Sequence, residues 1–197
     1  SKQGFKMSEF TFNFKKKNIL IIGGSRGIGY HAANLFSNLG AEVIVTYKKN
    51  TSLEDFKKNN KNLNIHIEQL DLTNEISISK LTEKINKLDV LVNCAALAKG
   101  GVEYRIENFS DVVNVNLMGN LRICHSMLPK LALSKGNIIN LTSINTKLAS
   151  SNNPAYASTK SGIESLTKSM AACWAVHSVR VNSVAPGWIE GNTNDVL

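Results

Sequence analysis

The stretch from Lys17 to Thr46 leaves the fewest choices for a fold. Lys17-Asn18-Ile19-Leu20-Ile21-Ile22 is apolar without alternation, the pattern of a strand covered on both faces of a parallel sheet. Gly23-Gly24-Ser25-Arg26-Gly27-Ile28-Gly29 follows at once. Beyond it Ile28, Ala32, Leu35, Phe36 and Leu39 recur at helical spacing, Gly40 stops the helix, and residues 41–46 read as a second strand. A strand, a glycine loop, a helix and a second strand form the kind of unit that binds a dinucleotide. Gly23 turns the chain off the strand. Gly27 and Gly29 keep side chains away from the pyrophosphate and from the packed helix, and the open amides at the helix start face negative charge.

Strand and helix patterns then alternate to the end of the chain. Residues 64–70 read as a third strand, 74–86 as a helix and 88–92 as a fourth strand. A long helical stretch covers 109–133, within which Pro129 is expected to bend or end the helix. Residues 136–141 read as a fifth strand, 154–176 as a helix and 179–184 as a sixth strand. This order predicts an α/β fold, a Rossmann-type doubly wound parallel sheet with helices on both faces. With no repeat, low-complexity tract or linker, a single dinucleotide-binding and catalytic domain is expected over residues 7–197. Met7 can be the native first residue with residues 1–6 an appended remnant, or the chain can start at Ser1; either way the start lacks the apolar core of a signal peptide.

Composition narrows the class. The net charge of +8 is an excess of Lys spread along the chain, and Asn is also abundant, so biased codon usage accounts for it. Without aromatic residues interleaved among the cations, nucleic acid is not expected as a partner. No apolar run is long enough to span a membrane, so no membrane partner is expected. Cys94, Cys124 and Cys173 show neither paired nor metal-like spacing. No metal is expected, and free thiols suit a reducing, cytoplasmic compartment.

The second chemical signal is Tyr156-Ala157-Ser158-Thr159-Lys160. Tyr156 and Lys160 stand at i and i+4, on one helix face. A tyrosine with a pKa of about 10 is a poor base at neutral pH, but a neighbouring ammonium favours the phenolate. Such a pair can donate a proton to a carbonyl oxygen or remove one from an alcohol.

Together, Gly-x-x-x-Gly-x-Gly and Tyr-x-x-x-Lys make the chain resemble the short-chain dehydrogenase/reductase family, particularly its ketoacyl-carrier-protein-reductase-like members. The resemblance implies a catalytic set of Asn116, Ser143, Tyr156 and Lys160. Ser143 would bond the reacting oxygen, though it could equally cap its own turn. Asn116 would hold a water beside the lysine, with Asn114 as a nearby rival. Asp71-Leu72 matches the segment that contacts adenine, although Asp71 could instead start a helix. Asn93-Cys94-Ala95-Ala96 stands where the family has Asn-Asn-Ala-Gly, and Pro186-Gly187-Trp188-Ile189 where the backbone holds the nicotinamide carboxamide. The implied cofactor contacts are thus Gly23, Ser25, Arg26, Gly27, Ile28, Gly29, Tyr47, Lys48, Asp71, Leu72, Asn93, Ala95, Tyr156, Lys160, Pro186, Gly187 and Ile189.

Besides Cys94, which stands at the second Asn of the Asn-Asn-Ala-Gly segment, three positions depart from the pattern. Ile22 replaces a Thr that ties the first strand to the fourth-strand motif, Ala96 replaces Gly, and Gly191 replaces a Thr for which Thr193 could substitute. The family's usual last strand and helix are also not evident. Where NAD-preferring members carry an acid, this chain has Tyr47 followed by Lys48, and Arg26 adds a second cation. NADP(H) is therefore the expected cofactor, with NAD(H) as the alternative. The expected activity is reduction of a ketone or other carbonyl to a secondary alcohol, or the reverse. The substrate would be a small molecule, free or linked to a carrier protein, with sugar or polyol oxidation as the rival within the class. The alternative is a cofactor-binding regulatory or degenerate, non-catalytic homologue. The resemblance also implies a homodimer or homotetramer through the two long helices, with Leu117, Leu121, Leu128, Ile163, Leu166 and Met170 as candidate contacts.

Overall fold

The computed structural model describes residues 12–48, 56 and 63–189. Residues 1–7, Gly191 and Thr193 lie outside that set. Six strands, β1 (Asn18–Ile22), β2 (Glu42–Tyr47), β3 (Ile65–Gln69), β4 (Val90–Asn93), β5 (Asn137–Leu141) and β6 (Arg180–Val184), form one sheet in the order β3-β2-β1-β4-β5-β6. Every adjacent pair is parallel. The helices are α1 (Gly27–Asn38), α2 (Glu75–Lys84), α3 (Ile106–Val113), α4 (Gly119–Ser134) and α5 (Pro154–Trp174).

The unbroken apolar run of β1 has its reason in this order. The strand is central, and its side chains alternate between two cores. Ile19 and Ile21 pack with Val43, Val45, Ala33 and Phe56 on one face. Leu20 and Ile22 face the other side, with Leu91, Ile123, Met127, Ile138 and Met170. These four of the five β1 side chains are at most 1% exposed, and each such burial stabilises by about 1.5–3 kcal/mol.

The chain builds outward from β1 to β3, then crosses back to β4 and builds the other way. The order reverses between β1 and β4, and in such sheets ligands bind beyond the carboxyl ends of the strands at that point. Gly23, Lys48, Asp71, Cys94, Ser143 and Pro186 each lie within two residues of the carboxyl end of a strand.

The long helix corrects one expectation. α3, a π-helical turn (Asn114–Met118) and α4 run without a gap, starting at Ile106 rather than at residue 109. Pro129 lies inside α4 and does not end it. Pro129 and His125, whose carbonyl loses its helical donor, are both exposed, so water can serve that carbonyl. The helix stops instead at Lys135, in the left-handed region at φ 52°. α5 ends at Trp174, and a 3-10 turn (Ala175–His177) completes the segment expected to be helical. Ile163 and Met170 are buried within the chain's own fold, so they cannot pair with a second copy. Leu117, Leu121, Leu128 and Leu166 remain partly accessible.

Two polar features brace the sheet. At its amino-terminal end, Asp89 accepts from Lys17 Nζ at 2.9 Å and Asn18 N at 3.0 Å, so the last of the three consecutive lysines is not simply solvated. At the carboxyl end, Asn140 Oδ1 accepts from Asn93 Nδ2 at 2.8 Å and Asn120 Nδ2 at 3.2 Å, while Asn140 Nδ2 donates to Thr167 Oγ1 at 2.9 Å. This buried network joins β4, β5, α4 and α5 directly beneath the site. Among the described residues no helix is long and apolar enough to cross a membrane, and no His, Cys, Asp and Glu side chains cluster as metal ligands. All three cysteines are free thiols.

Candidate active site

The loop after β1 is shaped by close approach. Gly23 has φ +76°, and a Cβ there would lie 2.8 Å from Ala95 N and Cα. The β1 and β4 ends can meet only because that side chain is missing. Ile22 lacks the hydroxyl expected to tie them. The tie comes instead from the backbone, Cys94 N donating to Ile22 O at 2.9 Å. Thr46, at the end of β2, accepts from Gly23 N through its hydroxyl at 3.1 Å.

The same loop can hold a pyrophosphate. A Cβ on Gly27, at φ +55°, would meet nothing within 4 Å, so open space lies above the loop. α1 starts there with no side-chain cap bond and no acid in its first turn. No cap side chain or first-turn acid competes for its first amides, the arrangement that favours an anion. Gly29 faces inward, where a Cβ would stand 2.4 Å from Gly23 O. Gly29→Ala should force the loop open, costing about 1–3 kcal/mol and weakening dinucleotide affinity at least about tenfold. Thermal melts and calorimetry check both, and wild-type affinity in the variant would contradict the cradle.

On the β2–β3 side, Lys48 Nζ pairs with Asp71 Oδ2 at 3.0 Å. Asp71 also accepts from Thr73 N at 2.9 Å and Thr73 Oγ1 at 2.7 Å. Its burial would raise the carboxyl, but the Thr73 bonds and Lys48 outweigh it and hold Asp71 below the usual range. Asp71 does not start α2; Asn74 caps that helix, accepting from Ser77 N at 3.1 Å. Leu72 is buried against Gly119, where a Cβ would stand 2.8 Å from its own. Tyr47 is half-buried and Ser25 borders the loop, while Arg26 and Ile28 are exposed.

After β4, Asn93 is buried and its amide is engaged in the network under the sheet. Cys94 stands near Lys160, yet burial outweighs that charge and pushes its thiol up to about 12, so it is no nucleophile. Ala95 packs against the core and Ala96 is half-buried. Beyond β6, Pro186 O accepts from Ile144 N at 3.0 Å, which binds this segment to the Ser143 turn. Gly187 opens onto free space, and Ile189 is 54% exposed.

The structure brings Ser143, Tyr156 and Lys160 together. Ser143 caps the 3-10 turn (Ile144–Thr146), accepting from Asn145 N at 3.2 Å, and its hydroxyl lies near enough to the Tyr156 phenol to favour the phenolate. Of its two expected roles, the cap of its own turn is the one seen here. Lys160 is 3% exposed and donates to Leu141 O at 2.6 Å, with Nζ 5.5 Å from the Tyr156 ring centroid. Burial pulls its pKa down to about 8, against a small opposing effect of Cys94. The phenol differs from expectation. Burial raises its pKa, the Ser143 hydroxyl lowers it, Glu103 raises it again, and the net direction is up. At neutral pH the Tyr156 phenol therefore keeps its proton.

Asn116 lies in the π-helical turn, a feature often found at functional positions. Its side chain does not reach toward the lysine. Oδ1 accepts from Leu97 N at 2.7 Å, and Nδ2 donates to Leu97 O at 2.8 Å and Thr159 Oγ1 at 3.2 Å. It braces the β4–α3 loop on α5. Its rival Asn114 accepts from Arg122 at 2.9 Å, away from this cluster.

Three supporting residues carried no usable signal in the sequence. Thr46 reads as one more β-branched strand residue, Thr159 as a helix residue, and Glu103 as a loop acid. Only the long-range contacts distinguish them.

Comparison with known proteins agrees with this architecture. The short chain dehydrogenase family model matches residues 17–196. The 3-oxoacyl-(acyl-carrier-protein) reductase FabG of Rickettsia bellii (strain RML369-C) is 35% identical over 184 residues, 90% of this chain and 75% of that protein. The protein of the same name from Chlamydia pneumoniae is 30% identical, over 92% of this chain and 77% of its own length. A short-chain type dehydrogenase/reductase from Mycobacterium ulcerans superposes with a TM-score of 0.85 at 23% identity, over 91% of this chain and 70% of that one, a likeness of fold. With the glycine loop, the strand order and the Ser, Tyr and Lys cluster in view, this chain belongs to the short-chain dehydrogenase family.

Proposed function

We propose that the chain is an NADP(H)-dependent oxidoreductase that reduces a carbonyl to a secondary alcohol, with Tyr156 as the proton donor. The observation that carries this reading is the convergence of the Ser143 hydroxyl, the Tyr156 phenol and the Lys160 ammonium at the carboxyl end of the sheet that also bears the glycine loop. Gly23, Ser25, Arg26, Gly27, Ile28 and Gly29 would hold the pyrophosphate, Asp71 and Leu72 the adenine side. Ala95, Pro186, Gly187 and Ile189 would hold the nicotinamide side, with Asn93 contributing through its backbone. The bound nicotinamide supplies hydride. Ser143 orients the carbonyl oxygen, where negative charge develops. Tyr156, kept protonated by its surroundings, donates to that oxygen. Lys160 places a positive charge near the ring and eases loss of the proton. Asn116 keeps the loop and α5 in register.

The reductases of 3-oxoacyl groups among the relatives support a 3-oxoacyl-type carbonyl, free or on a carrier protein. A steady-state assay of NADPH and NADH with a carbonyl panel that includes 3-oxoacyl thioesters tests the reading. Cofactor binding without turnover of any substrate would favour a non-catalytic homologue.

The preference for NADP(H) rests on Tyr47 in place of an acid, followed by Lys48. Lys48 is engaged with Asp71, but both side chains are more than a third exposed. Exposed pairs contribute only about 0–1 kcal/mol, so a 2′-phosphate can recruit this lysine. NADPH is expected to bind about tenfold or more tightly than NADH, and Tyr47→Asp to narrow or invert the difference. Calorimetry in which the wild type binds NADH equally well would sink this preference.

A further inference from the structure

Glu103, in the loop between β4 and α3, is 0% exposed. A carboxylate is seldom fully buried unless specific partners hold it. One oxygen accepts from Lys99 N at 2.8 Å, within its own loop, and the other from Tyr156 N at 2.9 Å. Both oxygens accept from N–H groups, the bonding pattern of an ionised carboxylate. α5 has no local equivalent: Asn153 makes no side-chain cap bond, Pro154 brings no N–H, and no acid occupies the first turn. A residue 53 positions away supplies the acceptor, where a helix start favours negative charge. The amide it holds belongs to the residue that bears the phenol. At the other end of the same loop, Asn116 holds Leu97 and reaches Thr159, whose hydroxyl donates to Tyr156 O at 2.8 Å. Glu103 and Asn116 therefore clamp the loop and the first turn of α5 from two sides.

We propose that Glu103 is a positioning residue for Tyr156: its buried carboxylate fixes the first turn of α5 on the β4–α3 loop and holds a negative charge close to the phenol. This rests on Tyr156 being the proton donor. Glu103 from the β4–α3 loop and Ser143 from the segment after β5 act on the phenol, while Lys160 from α5 holds its Nζ 5.5 Å from the ring centroid, with Cys94 beyond it at the end of β4. Lys99, next to Glu103, turns its ammonium away to Asn108 at 2.8 Å and Asp111 at 2.5 Å. Glu103 opposes formation of the phenolate and Lys160 favours it, so the proton is held until the substrate oxygen takes it.

Two variants separate charge from reach. Glu103→Gln keeps the size but loses the charge, and sets an NH2 group against a backbone N–H. It should lower kcat roughly tenfold, on the scale of a small misplacement, with little change in KM for NADPH. The Tyr156 phenolate absorbance, isolated by subtracting the same protein carrying Tyr156→Phe, should appear at lower pH than in the wild type. Glu103→Asp keeps the charge but shortens the reach, so kcat falls while the phenolate midpoint moves less than with Gln. An unchanged midpoint or an unchanged kcat in Glu103→Gln overturns the proposal. Should the variants fail to fold, hydrogen exchange in the wild type decides. The Tyr156 amide, near the start of a helix, is expected to be protected, and exchange at the rate of an open amide overturns the assignment. If no carbonyl is turned over, the proposed function falls, while the titration and exchange still report on Glu103.

Discussion

Tyr156→Phe is expected to lower kcat by about 10²–10⁴-fold, the usual contribution of a positioned general acid, while NADPH affinity stays within a few-fold. The substitution removes one oxygen and leaves the ring in its half-buried place. Ser143 keeps the bond from Asn145 N, so stability should change by no more than about 1 kcal/mol. Steady-state kinetics and calorimetry on one preparation separate the two effects. A variant that retains most of its activity on a verified substrate would assign proton transfer to another group.

Lys160→Met should move activity and stability in opposite directions. Burial takes the Lys160 ammonium from a reference pKa of 10.5 to about 8 in the folded chain. Below about pH 8 both folded and unfolded chains carry the proton, and the folded chain bears the whole desolvation penalty, about 3 kcal/mol from a shift of about 2.5 units. Between about 8 and 10.5 the unfolded chain still holds a proton that the folded chain has lost, so this group makes stability rise with pH. Above that window both forms are neutral and the penalty is gone. Methionine removes the charge and keeps most of the volume, but leaves Leu141 O without the donor now at 2.6 Å, which offsets about 1–2 kcal/mol. At pH 7 the variant should therefore be more stable than the wild type by about 1–2 kcal/mol, with the advantage lost by pH 10.5. Turnover should fall at least about a hundredfold, because the phenol loses the cation that eases release of its proton. Urea melts at the two pH values, read as the difference between variant and wild type, isolate this group. Destabilisation of equal size at both would show that Lys160 supports the fold instead of straining it.

Much of this protein was legible in one dimension. The run Ile19-Leu20-Ile21-Ile22 could hardly be anything but a strand buried on both faces, because its periodicity is a local property of neighbouring residues. The same holds for the glycine spacing from Gly23 to Gly29, where sterics between adjacent peptides select the residue type, and for Tyr156 and Lys160, which helix geometry puts on one face. From these follow the parallel α/β sheet and the family. Contacts between distant segments were not legible. Pro129 could stay inside α4 because it and His125 both meet solvent, a matter of which face the helix buries. Thr46 ties the glycine loop through Gly23 N because β2 lies beside β1. Asn116 grips Leu97, and Glu103 caps a helix 53 residues away, through loop paths that no spacing rule encodes. Ionisation was decided the same way. A tyrosine and a lysine one turn apart suggest a depressed phenol, yet burial and the charge of Glu103 raise it, while burial depresses the lysine. Desolvation depends on everything packed around a group, so only the folded chain sets it.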